Sequence, residues 1–266
     1  MNDTCEEMRK LKKLNKIKLI IYQLTVLVGF FGMWELLARL HLINVFVFSS
    51  PSAVVKTLIF YIKTDQLFNH IWISIYETFL GIVIGSISGI LIAAVLWYWR
   101  RLTEVLQPFL NVLNALPKTA LAPIMIIWAG AGIKGIVLVA ISILIVITIL
   151  SSLSYFNNVE EDKIKMMKSF GATRKQLFTK LIFPSNVGNL TTVVKINIGM
   201  SWIGVIVGEL LVSKAGIGYL IMYGGQIFKM DLVMMGVFIL GIAAFLMYVI
   251  VDKLEKLIIK KRGDNK

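Results

Sequence analysis

Cysteine occurs once in 266 residues, at Cys5, which excludes an internal disulfide and with it a small secreted domain stapled by bridges. No apolar region precedes Cys5, so it is not a lipoprotein attachment site and reads as a free thiol. Histidine occurs twice, at His41 and His70, each standing alone, so no metal site is expected. Charge is scarce too: 16% of residues are Asp, Glu, Lys or Arg, against a typical ~25%. With 58% AVILMFWYC residues and a mean hydropathy of +0.81, the chain cannot clothe an ordinary water-facing surface. Soluble enzymes and disordered chains are excluded. No HExxH helix, paired Asp motif or Ser/His arrangement occurs, so no catalytic residue is assigned.

What the sequence does hold is long apolar runs. Six of them, over 19–40, 71–99, 104–130, 135–156, 186–212 and 232–251, are long enough to cross a ~30 Å hydrocarbon core as helices. Backbone polar groups must be satisfied internally there, so the class is an all-α polytopic membrane protein with six transmembrane helices. The first run follows a basic segment but is too long for a signal h-region and lacks a cleavage site, so it reads as a retained anchor. Val45 to Ile62 is apolar but broken by Ser49, Ser50, Pro51, Ser52 and Lys56. Ser50-Pro51 reads as an N-cap with proline at the first helical position, which predicts an external helix near the interface. Ser213 to Asp231, with four glycines, reads as an outer loop carrying a short helix.

The net charge of +13 and pI near 9.8 would raise nucleic acid as a partner for a soluble protein. In a membrane protein the same excess records orientation, and no nucleic-acid partner is expected. With the N-terminus inside, 20 Lys and Arg residues fall on inner segments and 6 on outer ones (Arg39, Lys56, Lys63, Lys134, Lys214, Lys229). The split predicts a multi-pass protein of the plasma (inner) membrane with both termini cytoplasmic. The organisation that follows is a basic N-terminus over 1–18, a six-helix transmembrane domain over 19–251 and a cytoplasmic tail over 252–266, whose basic helix end rests on membrane lipid.

Gly81, Gly85 and Gly89 recur every four residues, Ala93 continues the row, and Gly204 and Gly208 repeat it, a spacing that predicts close helix packing in lipid. The inner loop over 157–184 is unusually long and patterned. Ile164, Met167 and Phe170 fall at helical spacing, Gly171 suits a left-handed C-terminal cap, and Thr173 can cap a second helix bearing Leu177, Phe178 and Leu181. Periodicity alone fits a hairpin lying in the headgroups as well as one held by a protein partner.

From Gly171 to Pro184, with Leu181, Ile182 and Phe183 before the proline, the loop resembles the EAA loop of ABC importer permeases. The resemblance covers nearly the whole chain and is strongest to the nitrate, sulfonate, taurine and bicarbonate class. Its pieces are Trp34-Glu35, Ser50-Pro51-Ser52, His70 with Ser74 and Gly81, the run PKTALAPIMIIWAGAGIK from Pro117 to Lys134, Ser201-Trp202, Glu209-Leu210, and AGIGYLI from Ala215. Aligned on Gly171, the family's Glu-Ala-Ala falls on Lys165, Met166 and Met167, so a base replaces the acid and bulky side chains replace both alanines. The resemblance implies a type I ABC importer permease, paired with an identical copy, two cytoplasmic ATPase subunits and an extracytoplasmic solute-binding protein. It places ATPase coupling on Lys165, Met166, Met167, Phe170, Gly171, Ala172 and Pro184. No GxxxxGK[ST] phosphate loop occurs, so the chain itself takes no cofactor and ATP is bound by the partner.

The candidate pathway set is Asn114, Pro117, Lys118, Thr119, Lys195, Trp202 and Glu209. Lys118 falls near the middle of the third run, where a cation is costly. Either it satisfies carbonyls freed by Pro117 and Pro123, or with Thr119 and Asn114 it offers charge and donors to an anion such as a sulfonate, taurine or nitrate; Lys195 could serve as well. Glu209 reads as a gate or binding-protein contact, or as an interfacial carboxylate capped by water. An ion-coupled secondary transporter is the alternative class. It predicts midplane carboxylates, whereas Glu35, Glu77 and Glu209 lie nearer span ends.

Overall fold

The computed structural model describes the backbone of residues 2–261 and the side chains of residue 15 and of 17–256. Cys5 and the basic side chains at 9–16 and 260–266 that enter the charge count lie outside the described side chains. Every regular element among the described residues is helical: α1 (Asn2–Arg39), α2 (Val45–Phe48), α3 (Pro51–Lys63), α4 (Gln66–Tyr98), α5 (Arg100–Ala115), a 3-10 turn (Lys118–Leu121), α6 (Ala122–Ala129), α7 (Ile133–Asn157), α8 (Glu161–Ser169), α9 (Arg174–Leu177), a π-helical turn (Phe178–Ile182), α10 (Phe183–Ser185), α11 (Val187–Val212), α12 (Ile217–Gln226) and α13 (Met230–Lys261).

Among the described residues, five stretches are long and apolar enough to cross a membrane: Ile17–Arg39 of α1, then α4, α7, α11, and Met230–Lys256 of α13. The third run, expected as one span over 104–130, is instead two pieces, α5 and Lys118–Ala129, bent by 89°. Pro117 has no N–H for the carbonyl of Leu113 and biases Leu116 to extended backbone (φ −67°, ψ 140°), so α5 stops at Ala115 and the chain turns. Pro123 then sits in the first turn of α6, where its missing N–H costs nothing. At the other end, the tail expected from residue 252 begins as a continuation of α13 through Lys261.

α4, α7 and α11 form the packed centre, and the glycine rows lie where they touch. A Cβ at Gly81 would fall 2.6 Å from Ser201 Oγ and one at Gly89 2.7 Å from Thr148 Cγ2, while one at Gly204 would strike the backbone of Ala140. Polar side chains cross the same seams. Asn197 of α11 donates to Ser86 Oγ of α4 and Thr148 Oγ1 of α7, both at 2.9 Å, and Ser201 Oγ donates to the Thr78 carbonyl at 3.0 Å. Each of these groups is buried, so each bond also removes a desolvation penalty.

The outer segments follow their local signals. Ser50 Oγ accepts from the N–H of Ala53 at 3.3 Å with Pro51 opening α3, and α12 is the short helix of the glycine-rich loop. Glu35, at the end of α1, accepts from Arg39 Nε at 2.8 Å and from the Ser52 N–H at 3.0 Å, tying the first span to the start of α3. Phe31 and Trp34 meet Phe238 of α13 at ring distances of 5.6 and 6.0 Å, while the rest of α1 above Ile17 is largely exposed.

Candidate functional site

The 157–184 loop folds as two short helices joined by a tight cap. α8 ends in a Schellman turn: the Gly171 N–H donates to the Lys168 carbonyl at 2.9 Å and the Ala172 N–H to that of Met167 at 3.1 Å. Gly171 has φ +73°, a conformation that costs a side-chain-bearing residue strain, and nothing lies within 4 Å of where its Cβ would be. Thr173 and Gln176 form a capping box that starts α9. The hairpin is docked on protein: Leu177 and Ile182 are buried with Ala93, Leu96, Leu153 and Phe156 of α4 and α7, and Ile164, Met167 and Phe178 pack against them. The apolar row, expected to meet headgroups or a protein partner, meets the chain's own α4 and α7 instead.

At the turn, docking leaves two large apolar side chains outside. Phe170 is 81% exposed and Met166 54%, side by side on the outer surface of the turn, while Met167 is directed inward. Lys165, at the position of the family's acid, is exposed and reaches Glu161 at 3.6 Å and Asp162 at 3.5 Å. Such exposed pairs add little to stability, so the base sits in solvent. Ala172 lines a cleft behind the turn, and Pro184 lies in α10 just after the π-helical turn.

The seven pathway candidates do not form one site. Asn114, Pro117, Lys118 and Thr119 come together at the break, on an exposed surface. Lys118 Nζ donates to the Asn114 carbonyl at 3.0 Å, with the Asn114 side-chain oxygen at 3.5 Å, so the ammonium takes over a carbonyl that the helix no longer serves. Lys195 has other partners. Its ammonium pairs with Asp252 at 2.6 Å and with Glu255, both on α13, and lies 5.8 Å from the Tyr248 ring. Trp202 is 4% exposed in the core beside α12 and α13.

Glu209 is fully buried, so its carboxyl is capped by protein groups and not by water. Ser74 Oγ of α4 donates to Oε1 and the Gly218 N–H to Oε2, each at 2.5 Å. The Ile217 N–H donates to Ser74 Oγ at 2.7 Å, and the Gly216 N–H to His70 Nδ1 at 3.0 Å. A helix start leaves its first N–H groups without partners, and here α4 and α11 supply them all to α12. Gly216, at φ +115°, has no side chain to cap with, and a Cβ there would overlap the Glu209 carboxyl. Glu77, equally buried, meets the same carboxyl. Sequence reasoning missed this knot, apart from singling out its members separately; Gly216-x-Gly218 after Glu209 was the available signal. It also missed Asp252 and Glu255 as partners of Lys195.

Comparison with known proteins agrees with this architecture. Residues 81–263 match the model of the binding-protein-dependent transport system inner membrane component family. A putative aliphatic sulfonates transport permease protein of Bacillus subtilis is 27% identical over 87% of this chain and 84% of its own, and the taurine transport system permease protein of Escherichia coli is 24% identical over 80% of each. Among solved structures, an inward-facing form of the MetNI methionine ABC transporter superposes with a TM-score of 0.63 at 17% identity, over 73% of this chain and 97% of that one. The fold is therefore that of a type I ABC importer permease, multi-pass in the plasma membrane, non-enzymatic, and working with a separate ATPase and a solute-binding protein. The chain belongs to the family of binding-protein-dependent transport system inner membrane components.

Proposed function

We propose that this chain forms half of the pathway of an ATP-driven importer, that a second copy completes it, and that the solute is a small organic or inorganic anion such as a sulfonate, taurine or nitrate. The observation that carries the reading is the docked loop with Met166 and Phe170 left outside: an apolar knob fixed to α4 and α7 is a handle by which an ATPase moves the core. ATP belongs to that partner. The 20 to 6 split of basic residues supports a cytoplasmic side for the loop and both termini, with the opposite face, including α12, toward the binding protein.

Pairing with an identical copy is supported by α5, none of whose residues is buried within one chain, and by the exposed Phe109, Ile127 and Trp128 on either side of the break. That surface faces lipid or the second copy. The anion is supported by the named relatives and by the cation at the break. The test is reconstitution of the chain with its cognate ATPase and solute-binding protein. ATP-dependent uptake of taurine or an alkanesulfonate is expected, and Met166→Asp with Phe170→Asp should abolish both uptake and co-purification of the ATPase. Full co-purification of the double variant would remove the loop from coupling. Uptake of uncharged solutes alone would overturn the substrate class.

A further inference from the structure

Behind the coupling turn a cleft of about 740 Å³ opens between the joint of α4 with α5 and the 157–184 loop. Its floor is apolar, formed by Leu96, Leu153, Ile164 and Leu177. Its rim is basic: Arg100 from α5, Lys168 from α8 and Arg174 from α9 converge there from three elements. A second depression continues past Arg101 and the rings of Tyr98 and Trp99, sharing Arg100 and Arg174 with the first.

Charge around this cleft is out of balance. Glu104 pairs with Arg100 at 3.2 Å, but among the described residues no carboxylate lies within 4 Å of Arg101, Lys168 or Arg174. Arg174 is also held in place: it donates to the Trp97 carbonyl at 3.2 Å, and its guanidinium stands 5.6 Å from the Trp97 ring and 5.5 Å from that of Tyr98. A guanidinium fixed by stacking keeps donor edges for an oxyanion and loses little freedom on binding one. Four cations facing one carboxylate repel each other unless an anion joins them.

Position selects the anion. The aromatic triplet Trp97-Tyr98-Trp99 ends a membrane span, the level at which such rings meet headgroups. Exposed Val95 and Trp99 at the same end of α4 add apolar surface suited to acyl chains. An inorganic ion has no use for the apolar floor or for that surface. We propose that the cleft binds the phosphodiester headgroup of an anionic glycerophospholipid, which bridges the α4–α5 joint to the 157–184 loop and braces that loop against the membrane.

The test uses the full-length chain, purified and stripped of lipid in neutral detergent. Native mass spectrometry then counts lipid retained from mixed micelles of dioleoylphosphatidylglycerol or dioleoylphosphatidylcholine, with and without millimolar inorganic phosphate. The expected result is retention of the glycerol lipid about tenfold above the choline lipid, undisturbed by phosphate. Arg101→Gln with Lys168→Gln should erase that preference, while Lys134→Gln with Lys214→Gln, which removes the same charge outside the cleft, should keep it. Equal retention of the two lipids by the unaltered chain overturns the proposal without recourse to any variant. Displacement by phosphate reassigns the site to a free anion, and loss of preference in the control pair reduces it to general surface charge.

Discussion

The start of α12 and the turn after α8 are both short glycine-marked segments held against long helices, yet they are held by opposite means. At α12, polar side chains, Ser74 and Glu209 buried and His70 half-buried, reach in from α4 and α11 to satisfy Gly216, Ile217 and Gly218. At the turn, apolar side chains dock the hairpin while polar ones face out, and Phe170 and Met166 stay uncovered. A buried knot of hydrogen bonds has few alternative arrangements, because each partner lost strands another group away from water. An apolar dock tolerates small shifts, and an exposed apolar knob gains free energy when a partner covers it. The first arrangement fixes a helix; the second leaves something for a moving partner to grip.

The largest effect expected from this contrast is at Glu209. Glu209→Ala strands the Gly218 N–H and the Ser74 hydroxyl in a dry site and should cost about 3 kcal/mol, read as a lower thermal midpoint of the purified chain in detergent. Glu209→Gln keeps an acceptor and should cost about 1 kcal/mol. A Glu209→Ala chain that melts with the unaltered protein would show that the knot holds nothing.

Gly171→Val should divide the two ends more sharply. Its cost is local backbone strain of about 1–2 kcal/mol, because the side chain would enter open space. The bundle should therefore insert and melt almost as before while ATP-driven uptake falls by about tenfold or more, since the knob is re-aimed. Phe170→Ala should be milder still: a side chain 81% exposed contributes under about 0.5 kcal/mol to folding, so only ATPase co-purification and uptake should drop, severalfold. A stability loss in Phe170→Ala equal to that in Glu209→Ala would erase the distinction between the two ends.

Most of the spans were legible because length and apolar content decide them, and the turn was legible because its signals are local: Gly171 and Thr173 each act within four residues of themselves. The break in the third run was legible in part. Pro117 and Pro123 marked freed carbonyls, but the apolar pieces on either side keep the length of a single span, so neither the stop at Ala115 nor the 89° bend could be read. The knot was illegible for another reason. Ser74 and Glu209 are 135 positions apart, His70 and Gly216 146, and Lys195 and Asp252 57, and a buried carboxylate with unknown partners looks the same in sequence as one facing water.

Lys118 gives the smallest effect on folding and the finest test of what the break is for. Its ammonium serves the Asn114 carbonyl on an exposed stretch, so in Lys118→Met water can take the same place and the loss should stay below about 1 kcal/mol. Stability is then nearly silent, and any change in transport reports on charge. If the break belongs to the anion pathway, uptake of taurine or a sulfonate should fall at least severalfold with protein level and basal ATPase unchanged, and Lys118→Arg should restore part of it. Lys195→Met is the matched comparison. It removes a cation already neutralised by Asp252 and Glu255, so its effect should be on the seating of α13 against α11, not on selectivity for anions. Equal anion uptake by Lys118→Met and the unaltered chain would leave the lysine as a cap on a broken helix and move the search for the anion's contacts to the surface of α5 and α6 that a second copy would cover.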